Sequence, residues 1–262
     1  MKALAARRQD RRAPIVLLLL ALLLTGGLYA VLAPTSAGAA TVKADSATDI
    51  ATGEKLFQAN CSTCHGPSAA GTASAPSLIG VGAAAVDFQV GTGRMPAQMN
   101  GPQVEAKPVQ FSQDQINQLA AYVASLGEGP EIPTADMVDP ALGNASNGMA
   151  IFRTNCAMCH NAVGAGGALS QGKFAPKLWN TTPTHIYEAM LTGPQSMPVF
   201  NDANITPEEK RDIIAFINEQ GGASPGGLTL GALGPVSEGL WAWVVGLGLL
   251  IGAAVWIGAK SS

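Results

Sequence analysis

The chain has 262 residues, of which 47% are apolar, 5% aromatic and 13% charged, while 31 Gly and 17 Pro commit much of it to loops. It can bury the core of one or two domains, and a bound prosthetic group would supply apolar bulk that its side chains lack. Residues 33–238 carry 9 Lys and Arg against 17 Asp and Glu, a net charge of −8, which excludes nucleic-acid binding by an electrostatic footprint and favours contact with a basic protein patch, or merely solubility.

Residues 1–14 hold Lys2, Arg7, Arg8, Arg11 and Arg12 against Asp10 alone. Ile15 to Leu32 follows as an uncharged apolar run of 18 residues. That length is the lower limit for a spanning helix and long for the core of a signal peptide. Ala37-Gly38-Ala39 resembles a small-residue cleavage site, so residues 1–36 read as a basic segment with either a retained anchor or a removed signal. In both readings the basic residues stay cytoplasmic and the chain beyond is exported.

An internal repeat comes next. GEKLFQANCSTCH (Gly53–His65) aligns without a gap on GMAIFRTNCAMCH (Gly148–His160), at an offset of 95 residues. Each copy opens with a helical stretch that carries Leu56 and Phe57, or Ile151 and Phe152, on its apolar face. Each closes with another helix. The first starts after Ser112 as N-cap; the second has Thr206 as N-cap, Pro207 at the first helical position and Gly221 as stop. Gly-, Pro- and Ala-rich loops are expected between the opening and closing helices. The layout is a domain at 46–128, a Pro-rich linker at 129–144, a second domain at 145–222 and a Gly/Pro linker at 223–238. Both domains read as small and all-α.

Gly239 to Ala259 is a run of 21 uncharged residues with Trp241 and Trp243 at one end and Trp256 at the other, the placement of an aromatic belt. Residues 239–259 therefore read as a transmembrane helix. The alternative, a buried soluble helix, would need a larger surrounding domain. Gly248 and Gly252 leave room for a neighbouring membrane helix, though glycine is frequent in such segments.

All four cysteines lie in two Cys-x-x-Cys-His frames, the attachment signal for c-type haem. Two thiols three residues apart bond the two vinyl groups of one porphyrin, and the next histidine is aimed at its iron. Cys61, Cys64 and His65 would hold one haem; Cys156, Cys159 and His160 would hold the other. A pair of zinc sites is the competing reading, but it needs further ligands, and His185 is the one remaining histidine or cysteine. Met95 and Met197 are each followed by proline in a Gly-containing loop before the last helix of their copy. Proline restricts the preceding residue to extended backbone, and a thioether ligand favours reduced iron and raises the potential. They are the expected second axial ligands, with Met99 the fallback for the first haem. The remaining methionines, Met99 included, are expected as core filler, His185 as a capping or surface residue, Trp179 as core, and Lys173, Lys177 and Arg153 as solvated surface. Two closed irons leave no room for a small-molecule substrate, so the expected task is electron transfer.

Two tandem class I-like cytochrome c domains, each with its frame and a later Met-Pro, between an apolar N-terminal segment and a C-terminal membrane helix, resemble the dihaem cytochrome c subunit of actinobacterial-type cytochrome bc1 complexes. The resemblance covers nearly the whole chain. It implies a proton-translocating quinol–cytochrome c reductase in which cytochrome b oxidises quinol and the Rieske iron–sulfur protein passes one electron to the first haem domain. The second would deliver it to a cytochrome aa3 oxidase in a supercomplex. The chain would sit in the cell membrane with its haem domains outside, and it would not hold the quinol site. The rival readings are a tethered shuttle for another oxidoreductase and a dihaem enzyme such as a peroxidase or a thiosulfate dehydrogenase.

Overall fold

The computed structural model describes residues 47–99, 101–222 and 235–260, together with Ile15, Leu19, Leu20, Leu23 and Leu24. The rest of the N-terminal segment expected at 1–36, and most of the linker expected at 223–238, lie outside the described residues.

Helix α1 (Ala47–Asn60) turns Gly53 and Phe57 inward. The short α2 (Ser62–His65) then carries the chain through the first Cys-x-x-Cys-His frame. Helix α3 (Gly82–Gly91) stands where only loop was expected. Ala84, Val86, Asp87, Phe88 and Val90 are all buried, so no polar face marks it in the sequence. Helix α4 (Gln113–Ala124) closes the copy. Its start is fixed by a capping box: the Gln115 N–H donates to the Ser112 hydroxyl, and the Ser112 N–H donates to the Gln115 side chain.

Gly53 is the crossing point of α1 and α4. A β-carbon there would stand 1.9 Å from the Gln118 carbonyl oxygen, so only glycine lets the backbones meet. The contact brings Phe57 against Tyr122, ring centroids 5.3 Å apart. Ile116, Leu119 and Val123 of α4, with Val86 and Val90 of α3, complete this core.

The stretch expected as a plain linker holds α5 (Ala135–Val138) and a 3-10 turn (Pro140–Leu142). Val138 explains the difference, because it is buried in the second core and gains by leaving water. Helix α6 (Ala145–Asn155) is capped by the Asn144 side chain, and α7 (Ala157–His160) carries the second frame. A two-stranded antiparallel ribbon, β1 (Gly167–Ala168) with β2 (Phe174–Ala175), pairs Gly167 with Ala175 and Ala168 with Phe174, a small addition to the all-α design. Helix α8 (Pro183–Thr192) follows, with Thr182 as cap and Pro183 at its first position. Helix α9 (Pro207–Gly222) starts from a capping box of Thr206 and Glu209. Gly221 does not stop it: the helix runs on to Gly222, and a β-carbon at Gly221 would lie 3.3 Å from Trp179. That glycine serves packing. Gly148 repeats the role of Gly53, 1.9 Å from the Asp212 carbonyl oxygen, and Phe152 meets Phe216 at 5.3 Å.

Helix α10 (Pro235–Lys260) contains the expected apolar run. Gly239–Ala259 spans 21 residues with a mean hydropathy of 2.1, and none of it is buried. At about 1.5 Å per residue it is ~32 Å long, enough for a hydrocarbon layer of about 30 Å. Trp241, Trp243 and Trp256 are exposed.

Gly53→Ala and Gly148→Ala each place a methyl group inside a carbonyl oxygen. Each is expected to destabilise its own domain by about 1–3 kcal/mol, read as a lowered thermal midpoint in the single variants.

Candidate haem sites

Helix α1 delivers the first frame to the edge of its core. Cys61 is half-buried, Cys64 is exposed and His65 is buried. The His65 Nδ1–H donates to the Pro76 carbonyl at 2.8 Å. A carbonyl can only accept, so Nδ1 carries the hydrogen and Nε2 keeps the lone pair a metal needs. The chain then reverses at Gly66, φ +79°, and the Gly71 N–H closes the turn on the His65 carbonyl at 2.8 Å.

The second frame repeats this geometry. His160 is buried, and its Nδ1–H donates to the Pro176 carbonyl at 3.1 Å. Asn161, φ +67° and ψ +160°, repeats the conformation of Gly66, which is strained for a residue with a β-carbon. The Gly166 N–H closes on the His160 carbonyl at 2.9 Å. Burial lowers the pKa of His160, with the Pro176 carbonyl opposing it, which keeps the ring in its neutral, ligating form. Burial, and then the neighbouring Cys64 or Cys159, push the Cys61 and Cys156 thiols up to about 11. Both stay protonated at neutral pH.

Met95 is half-buried and packs on the same core cluster as Cys61; Met197 does so beside Cys156. The Met95 loop is pinned at several points. The Met95 N–H donates to the Gln89 carbonyl at 2.9 Å, and the Lys107 ammonium donates to the Pro96 carbonyl. Gly93, φ +72°, lies so close to the Lys107 carbonyl that a β-carbon would overlap it. The Met197 N–H donates to the Pro194 carbonyl at 3.0 Å, after α8 ends at Gly193 in the left-handed region. Met99 is 79% exposed and Met158 94% exposed, so neither is core filler. Met99 sits in a surface bend, and Met158 lies on α7 between the two cysteines of the second frame with its side chain in solvent. Met190 is buried, and Met137 and Met149 pack on the second core as expected.

Each domain thus offers one thiol and one half-buried thioether on a shared apolar cluster, with a second thiol and an oriented imidazole in the adjoining turn. This donor set fits a c-type haem.

Other expectations need correction. Trp179 donates its indole N–H to the Val163 carbonyl at 2.6 Å, with the Lys177 ammonium 4.0 Å from its ring centroid. Lys177 is therefore tied to an aromatic face rather than simply solvated. Lys173 donates to the Ser196 hydroxyl at 3.0 Å, while Arg153 is exposed. His185 is neither a cap nor a surface residue. It lies 3.6 Å from Asp87 and edge-on to Phe88, both in the first domain. Nothing local signals a partner so distant in sequence.

The two domains also meet between their methionine loops. The Gln103 side chain donates to the Phe174 carbonyl at 2.9 Å and accepts from the Phe174 N–H at 2.8 Å. The Val104 N–H donates to the Gln195 side chain at 3.2 Å. A hint of this was present in the spacing: the histidine precedes its proline partner by 11 residues in the first copy and 16 in the second. The surplus forms the ribbon that Gln103 holds.

A family model described as cytochrome c matches residues 50–127, and one described as cytochrome c oxidase, cbb3-type, subunit III matches residues 143–217. The chain is 44% identical to the cytochrome bc1 complex cytochrome c subunit of Corynebacterium efficiens, over 99% of this chain and 94% of that one. It is 46% identical to the subunit of the same name in Mycobacterium bovis, over 94% of this chain and 90% of that one. The corresponding figure for Corynebacterium diphtheriae is 43%, over 99% of each.

Lys107→Met removes the donor to the Pro96 carbonyl. A loss of about 1–2 kcal/mol of local stability is expected to speed hydrogen exchange at the Met95 N–H roughly 5- to 30-fold, with the Met197 N–H unchanged.

Proposed function

The chain belongs to the family of cytochrome bc1 complex cytochrome c subunits, and on that footing we propose that it relays electrons through two covalently attached haems, from a Rieske iron–sulfur protein towards a terminal oxidase. Its two cytochrome c domains bind haem c and make it a redox, electron-transfer subunit. The finer assignment is Cys61 and Cys64 with His65 and Met95 for the first haem, and Cys156 and Cys159 with His160 and Met197 for the second. The observation that carries it is the donor set found twice: a histidine locked by a proline carbonyl, two thiols beside it, and a methionine on the same core wall.

Each haem, when bound, supplies a one-electron couple at its iron. The protein's part is to hold and tune that couple. The proline carbonyls at Pro76 and Pro176 fix the ring planes and make the imidazoles better donors. The pinned Met95 loop and the Gly193 turn hold the thioethers, which favour the reduced state. With His65 and Met95, or His160 and Met197, as its ligands, neither iron would offer a substrate site, and the chemistry supplied would be one-electron transfer. The hydrogen bonds between Gln103 and Phe174 tie the first methionine loop to the ribbon, that from Val104 to Gln195 ties it to the second methionine loop, and together they support transfer between the domains.

In this reading the partners are cytochrome b and the Rieske subunit of a proton-translocating quinol–cytochrome c reductase, with a cytochrome aa3 oxidase as acceptor in a supercomplex. Helix α10 anchors the chain in the cell membrane. The basic residues at 1–14 and the apolar run at 15–32 support export of the haem domains to the outer face.

Purification in mild detergent tests the partners: cytochrome b and a Rieske protein are expected to accompany a chain with two haems c, and recovery of the dihaem chain with neither would sink the bc1 assignment. Met197→His tests the ligands. It is expected to lower the potential of one haem by on the order of 100 mV, within the ~0.8 V range that axial ligands command, and to leave the other nearly unmoved. Two unshifted potentials would remove Met197 from the iron.

A further inference from the structure

Where α3 of the first domain packs on α8 of the second, Asp87, His185 and Glu188 converge, and the geometry points to a divalent-cation site, fitted to zinc, that bridges the two haem domains. His185 and Glu188 are three residues apart on α8 and so share one face. Asp87 comes from α3. One ligand atom from each of the three lies within 4.8 Å of the others.

The surroundings are those of a built site. Asp87 is 5% exposed and Glu188 is 0% exposed. Asp87 Oδ1 accepts from the Gln113 side chain at 3.1 Å, which fixes the carboxylate and leaves Oδ2 facing His185 Nε2 at 3.6 Å. Ligating carboxylates are commonly oriented by such an outer hydrogen bond. As a carboxylate, Glu188 finds no donor for either side-chain oxygen; only when protonated does it gain a hydrogen bond, to Asp87. A buried carboxylate without a donor is costly, and Thr192, one turn on, donates to the Glu188 main-chain carbonyl rather than to the side chain. Arg94, in the turn that follows α3, is engaged on the Phe88 ring, 4.9 Å from its centroid.

Zinc takes nitrogen and oxygen ligands at about 2.0–2.2 Å, so tetrahedral ligand atoms stand roughly 3.3–3.6 Å apart. The His185–Asp87 separation already matches at 3.6 Å. The widest separation, up to 4.8 Å, needs to close by about 1 Å, and one position remains for water. Two carboxylates balance the ion's charge, and the imidazole selects zinc over magnesium or calcium.

The alternative to a cation is a proton. Burial, and then the facing Asp87, push the Glu188 carboxyl up to about 10. Burial also pushes Asp87 up, but His185 and Gln113 outweigh it and hold its carboxyl below the usual value. Without metal the site therefore holds its proton on Glu188, and a cation must displace it.

The test uses the intact detergent-purified protein with its partners, stripped by chelator, equilibrated with Zn2+ alone and desalted. Zinc is counted against haem by mass spectrometry. About one zinc per two haems above the chelated background is expected in the wild type, with release of about one proton per zinc at neutral pH. His185→Gln and Glu188→Gln are expected to lower retention about tenfold or more, with haem content and the reduced absorption spectrum unchanged. His185 lies at the rim of the seam, so its variant carries the test where Glu188→Gln fails to assemble. Equal zinc in the wild type and His185→Gln would overturn the site and leave Glu188 as a protonated carboxyl.

Discussion

A backbone-to-backbone contact governs each domain. At Gly53 and again at Gly148 the opening helix rests on a carbonyl of the closing helix, at a distance no β-carbon tolerates. This approach lets one aromatic pair, Phe57 with Tyr122 or Phe152 with Phe216, fill the space beside the crossing. Each buried ring contributes about 1.5–3 kcal/mol, and the pair about 0.5–1.5 kcal/mol more. The cysteine frame begins one helical turn after the phenylalanine. Its position in space is therefore set by the crossing, and the histidine's by the crossing and one proline carbonyl.

The two copies agree where a haem is held and differ where the domains meet. Helix, frame, reversal and closing turn superimpose residue for residue from Gly53 to Gly71 and from Gly148 to Gly166. After that Ser112 follows Met95 by 17 positions in the first copy and Thr206 follows Met197 by 9 in the second, while the second is longer before its methionine. Those two surpluses contact each other through Gln103 and Phe174. Duplication kept the coordination chemistry, and insertion supplied a docking surface. In the proposed relay, with His/Met ligands at both irons, how the domains dock would be what remains for the protein to vary.

Much of the site was legible because covalent attachment demands a fixed spacing. Cys61, Cys64 and His65 have no freedom to drift apart in sequence, and the caps at Ser112 and Thr206 are local chemistry. Met95 and Met197 share a Met-Pro context that the sequence shows, and burial separates half-buried Met95 from exposed Met99 as the proposed ligand. Helix α3 was not legible. Its residues are buried on every side, so apolar periodicity has nothing to report. Asp87 and His185 belong to different domains, and no local pattern pairs them. Gly221 was misread because a glycine near a helix end looks the same whether it stops the helix or makes room for Trp179.

The composition now has a structural account. With 5% aromatics divided between two domains and a membrane helix, each core has one aromatic pair at its helix crossing, joined by Phe111 at the edge of the first core and by Tyr187 within the second. The wall that carries Cys61 and Met95, or Cys156 and Met197, packs on that core from one side. On the proposed ligand set, a porphyrin would lie against that wall and supply apolar area in place of the large side chains the sequence omits. Cofactor and core are then one hydrophobic unit. The raised thiols at Cys61 and Cys156 follow from the same placement, since a sulfur that must end beside a porphyrin has to begin partly out of water. The sparse charge of the chain has a related origin: a domain whose interior is finished by its cofactor needs few ion pairs to define it, and its acidic surface is left free for partners.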